Sequence, residues 1–194
     1  MIKKILIVLG VIVLIGVGKY VYDVNIDRNF EPVSEGKVYR SGTMKPEQLV
    51  EYMKKYHIKS VVDLRRPGTN DLVNNPEVSP ELLAEKAAVA QVPGANYFDV
   101  GSEQIPDEAT LTKFYAVMDD PANYPVLMHC YHGEGRAPLF GALYKIEYEG
   151  VPNEQAREDA RWFADLSPFA KGKRKGDFLL NYKTRKQKGE ETTK

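Results

Sequence analysis

Pro125-Val126-Leu127-Met128-His129-Cys130-Tyr131-His132-Gly133-Glu134-Gly135-Arg136 opens as a short apolar run, breaks into a polar loop with two glycines, and leads into helix-forming sequence. A run of this length and polarity reads as a short buried strand. Beyond it, Leu139, Leu143 and Ile146 recur at helical spacing, so a helix is expected from near Gly135 to Glu149. A strand, a glycine-containing loop and a helix in this order build an anion cradle. The glycines allow the backbone angles that turn successive N–H groups inward, and the helix N-terminus adds its positive end. Cys130 stands at the mouth of that cup, where a thiol reacts as its thiolate. Arg136 closes the loop from the far side, with a planar fork that can hold two oxygens of a phosphoryl group.

Working outward from this loop, the chain alternates strand and helix. Val38-Tyr39-Arg40 reads as a strand, and 45–57 carries helical spacing through Leu49, Tyr52, Met53 and Tyr56. Residues 59–65 form a β-branched strand closed by Pro67-Gly68. Ser79-Pro80-Glu81 opens a helix with a cap, a first-turn proline and an acid near the dipole. Asn96 to Val100 is strand-like, and Pro106-Asp107-Glu108 starts a helix running to about Met118. A further helix from Asn153 carries Trp162 and Phe163 as core residues. Helices between short apolar strands imply an α/β fold, a central and mostly parallel sheet flanked by helices. Ligands of such sheets bind beyond the carboxyl ends of the strands, where the cysteine loop lies.

The composition is ordinary. The 194 residues are 43% hydrophobic and 28% charged, which excludes a wholly disordered chain. Twenty-seven basic and 27 acidic residues cancel, which argues against nucleic acid as a partner. With Cys130 the single cysteine, no intramolecular disulfide and no multi-cysteine zinc site can form. At the N-terminus, Lys3 and Lys4 precede an apolar run from Ile5 to Gly18, the pattern of a signal anchor or a cleaved signal. Those 14 residues span about 21 Å as a helix, less than the roughly 30 Å hydrocarbon core. Lys4 and Lys19 are placed to snorkel, and Tyr20 and Tyr22 extend the run into an interfacial belt. The expected organisation is a membrane segment over 1–25, a catalytic domain over 30–170 held outside the cytoplasm, and a basic tail over 171–194. If the segment is cleaved, the domain is secreted instead.

A cysteine nucleophile and an arginine on one such loop suit phosphate monoester hydrolysis without a metal. The sequence His129-Cys130, five residues, then Arg136 resembles the signature of the cysteine-dependent protein tyrosine phosphatases, in particular their atypical dual-specificity branch. Val38-Tyr39-Arg40-Ser41-Gly42, 59–65, Ile105-Pro106-Asp107-Glu108 and 124–130 extend the likeness to bacterial, fungal and plant members, over roughly 35–150. The resemblance implies their compact fold and a phosphocysteine intermediate on phosphotyrosine or another phosphoprotein. It also implies a substrate loop of Tyr131, His132, Gly133, Glu134, Gly135 and Arg136, oriented by His129, and no cofactor. Inositol phosphates or pyrophosphates, phosphoinositides, and phosphate binding without turnover are the alternatives. Family members carry Ser or Thr after the arginine, whereas this chain has Ala137, which should slow departure of the thiolate in the second step.

The family takes its general acid from an Asp about thirty residues before the cysteine, and Asp99 fits that spacing best. Asp107 is the second candidate, although its place before a helix reads equally well as a cap. Asp63, ahead of Arg65 and Arg66 in a strand, reads as a structural pairing residue. No metal is expected: His129, Cys130 and His132 are too closely spaced to chelate zinc and form the cradle together. A rhodanese-like sulfurtransferase also uses a cysteine loop, but the spacing to Arg136 suits the larger phosphate cradle. Glu134 is unexpected in a loop built for anions.

Overall fold

In the computed structural model, residues 2–67, 79–161 and 167–192 are described. The expected turn at Gly68 and the expected core residues Trp162 and Phe163 lie outside them. Helix α1 (Ile2–Asn25) leads into a five-stranded sheet made of β1 (Glu31–Ser34), β2 (Val38–Ser41), β3 (Ser60–Asp63), β4 (Asn96–Asp99) and β5 (Val126–His129). The spatial order is β1-β2-β5-β3-β4, with β1 antiparallel to β2 and every other pair parallel. The edge strand β1 has no counterpart in the sequence reading, because Glu31-Pro32-Val33-Ser34 lacks an apolar run.

Between the strands run α2 (Pro46–Lys55), α3 (Ser79–Ala90), α4 (Glu108–Met118) and α5 (Arg136–Glu149), followed by α6 (Asn153–Asp159), α7 (Arg174–Asn181) and α8 (Arg185–Thr192). Successive strand residues point to opposite faces. Val38, Val62, Val126 and Met128 therefore join Phe114, Phe140 and Leu143 in one core, while Tyr39, Val61 and Leu127 meet Leu49, Met53 and Val89 in the other. Helix α5 lies in the first core, with Arg136 to Tyr144 all buried.

One expectation is corrected. The first part of the basic stretch does not run as a solvated tail: α7 packs against α5 and α6 and buries Leu179, with Tyr182 just beyond it. Phe178, Leu179 and Tyr182 supply the apolar stripe that the lysine count conceals. Among the described residues no helix is long and apolar enough to cross a membrane.

Candidate active site

β5 is the central strand, and the chain leaves its carboxyl end at His129 to turn through 130–135 before α5 begins. Four successive carbonyls of this turn are held from outside. Thr43 Oγ1 donates to Cys130 O at 3.3 Å, and the Thr43 amide to Tyr131 O at 2.9 Å. Asn29 Nδ2 donates to His132 O at 2.8 Å, and Arg40 Nη1 to Gly133 O at 3.0 Å. In a planar trans peptide the N–H points away from its own C=O. Tying these carbonyls outward therefore aims the amides of Tyr131, His132, Gly133 and Glu134 into the loop, where the N-terminus of α5 adds its positive end. The result is an oxyanion cup.

Glycine is required at 133. Its φ is +78°, and a Cβ there would sit 2.5 Å from the Gly42 nitrogen. The reverse contact is as close, since a Cβ on Gly42 would meet the His132 carbonyl at 2.9 Å. The end of β2 and the loop thus touch backbone to backbone, and the Gly42 amide in turn donates to Arg28 O at 2.6 Å.

Cys130 and Arg136 are both buried and line one cavity of about 500 Å³, together with Gln104, His132, Glu134 and Lys175. Arg136 Nη1 donates to Leu64 O at 2.9 Å and Ser102 O at 3.2 Å, which fixes the guanidinium in the cavity wall. Lys173 and Arg174 also line the cavity, so the N-terminal end of α7 forms a basic bank beside the cup. Sequence reading missed these three cations because they belong to the stretch taken for a tail. Ala137 is fully buried in the core, so a methyl fills the place that the resemblance reserves for a hydroxyl.

The loop residues expected at the site split between two hollows. His132, Glu134, Gly135 and Arg136 line the cavity of Cys130, whereas Tyr131 faces only a groove between the loop and the foot of α1, beside Tyr20, Val24 and Thr43, which His132 and Glu134 also reach. Asp99 and Asp107 line a different cavity, with Arg65 and Lys113. Asp99 ends the edge strand β4 and pairs with Lys86 at 3.3 Å. Asp107 caps α4, accepting from the Thr110 amide at 2.8 Å, and that bond holds its carboxyl below the usual range.

Behind the cup lies a buried polar cluster. Asp63, Arg65, Glu85 and His129 are each at most 3% exposed at the side chain. Arg65 Nη2 donates to Asp63 Oδ2 at 2.9 Å and to Glu85 Oε1 at 2.8 Å, and Nη1 donates to Thr43 Oγ1 at 3.2 Å. His129 Nε2 lies 2.9 Å from Glu85 Oε1. Burial alone would push the Asp63 and Glu85 carboxyls up. His129 and Arg65 outweigh it and hold both below the usual carboxylate range. Burial also raises the Tyr97 phenol, whose hydroxyl bonds to both carboxylates. Asp63, Glu85 and His129 have donor atoms within 4.8 Å of one another, a spacing a metal ion could use. The Arg65 guanidinium already bonds both carboxylates from the cation's place, so the set does not fit a metal. Asp63 is the pairing residue expected from sequence. Glu85 carries no local signal, because it lies on α3, far from its partners in the chain.

Residues 22–159 match the tyrosine phosphatase family. Among curated proteins, "Protein tyrosine phosphatase PRL-1" of Trypanosoma cruzi is 34% identical over 73 residues, 34% of this chain and 36% of that one, so the chain spans about a third of that relative. Among solved structures, the catalytic core of the PP-IP phosphatase Siw14 from S. cerevisiae superposes with a TM-score of 0.59 at 19% identity, covering 85% of this chain and 91% of the other. A substituted form of P. aeruginosa TpbA in complex with pTyr superposes at 0.54 and 22% identity, covering 79% and 89%.

Proposed function

Because the chain belongs to the tyrosine phosphatase family, we propose that it hydrolyses phosphate monoesters through a phosphocysteine formed on Cys130. The observation that carries this reading is the set of outward-tied carbonyls, which leaves inward-facing amides around the nucleophile. The Cys130 thiolate attacks phosphorus and forms the S–P bond as the P–O bond to the leaving group breaks. The loop amides and Arg136 stabilise the equatorial oxygens, where charge spreads in the transition state. Water then attacks the phosphocysteine, releasing phosphate and the thiolate.

Phosphotyrosine or another phosphoprotein is the first substrate class, in keeping with the family and with the pTyr complex of TpbA. The basic bank of Lys173, Arg174 and Lys175 favours a second reading, a substrate with more than one phosphoryl group such as an inositol phosphate. A panel of phosphotyrosine peptides and inositol polyphosphates tests both. Turnover should be blocked by vanadate and unaffected by EDTA; no turnover on any phosphomonoester would refute the reading.

Extracytoplasmic placement with α1 as the anchor belongs to the same proposal. It rests on Lys3 and Lys4 ahead of an apolar run in which Ile12, Leu14 and Ile15 are all more than half exposed. After carbonate washing the full chain should stay with membranes. Recovery entirely in the supernatant, with α1 still attached, would count against the anchor.

A further inference from the structure

We infer that Glu134, inside the cup-forming loop itself, is the proton donor to the leaving group; the inference rests on the phosphatase reading above. Among the described residues lining the Cys130 cavity, Glu134 is the only carboxylic acid. It makes no hydrogen bond or ion pair with a described residue.

The carboxylates between β4 and α4, from which the acid was expected, are engaged elsewhere. Asp99 pairs with Lys86, Glu103 with Arg66 at 2.9 Å, and Asp107 caps α4. The part of that segment that does reach the cavity is Gln104, a neutral amide whose Oε1 accepts from Lys175 Nζ at 2.6 Å. Gln104 has no acidic proton to give.

Proton balance follows from Glu134 alone. In the first step the S–P bond forms, the P–O bond breaks, and the Glu134 proton passes to the departing oxygen. In the second, water attacks phosphorus, its proton returns to the Glu134 carboxylate, and the electron pair of the S–P bond returns to Cys130.

The test separates a proton donor from a structural residue by leaving group. 4-Nitrophenolate departs without a proton, whereas phenolate needs one. Glu134→Gln should slow phenyl phosphate hydrolysis by about 100-fold or more, the usual range for a lost general acid, and 4-nitrophenyl phosphate hydrolysis by less than about 10-fold. Vanadate affinity should persist, and Glu134→Asp should recover part of the phenyl phosphate rate. If Glu134→Gln fails to fold, Glu134→Ser is read by the same ratio. Equal losses on both esters in a variant that binds vanadate would overturn the assignment, as would a leaving-group-selective loss in Asp99→Asn instead. A wild type that hydrolyses neither ester would instead refute the phosphatase reading, and this assignment with it.

Discussion

Cys130→Ser is expected to lose about four orders of magnitude or more in aryl phosphate turnover, about 5.5 kcal/mol of barrier, while still binding oxyanions. The two halves of this result have separate causes. A serine hydroxyl is nearly isosteric with the thiol but is not ionised near neutral pH, so the attacking species disappears. The cup remains, because its amides are aimed by bonds from Thr43, Asn29 and Arg40, none of which involves the sulfur. Steady-state kinetics together with calorimetric titration of tungstate would read both halves. Residual turnover above a few per cent would mean that the nucleophile lies elsewhere.

The next largest effect is on stability. Arg65→Met should cost about 3–5 kcal/mol at neutral pH, because it strands two buried carboxylates without their shared cation. For a chain of this length that is a fall in Tm on the order of 10 °C. The pH dependence has a definite sign. With Arg65 present, Asp63 and Glu85 have folded pKa values below their unfolded ones, so their contribution is complete above the ordinary carboxylate range and is lost as pH falls through the folded values. Without Arg65 the desolvation penalty is opposed only by His129 and the Tyr97 hydroxyl, and protonating a carboxyl relieves the variant. The stability gap between wild type and variant should therefore narrow between pH 7 and about pH 4. Denaturant unfolding at the two pH values measures it. A gap under about 1 kcal/mol at pH 7 would show that the cluster carries little of the fold's stability.

What can be read from the sequence follows from how local each signal is. The run 125–136 contains its own strand, loop glycines, nucleophile and arginine, so the cup is legible in that stretch alone. The proposed proton donor is not. Counting back from Cys130 gives a distance along the chain but no direction, and Asp99 ends the edge strand β4, separated from β5 by β3. Glu134 stands out in the sequence only as an anomaly, since four residues from a nucleophile its side chain could face either way. The donors that orient the cup, Asn29 and Arg40, sit about a hundred residues upstream, where nothing local marks them. The basic bank is hidden for another reason, because net charge in a lysine-rich stretch masks the apolar spacing of Phe178, Leu179 and Tyr182.

The position of β5 between β2 and β3 also governs how the protein acquires its chemistry as it folds. Both neighbours of the strand that carries the nucleophile come from the first third of the chain, and both pairings are parallel, so neither can begin as a hairpin. Loop-closure entropy must be spent on both crossovers before the strand is seated. No fragment ending before the last strand of the sheet holds the nucleophile, and none beginning after β3 holds Arg40 or Thr43 to orient the loop. The site has no local precursor. During synthesis the reactive thiol stays unprimed until nearly the whole domain has emerged, so catalytic competence arrives together with the completed sheet.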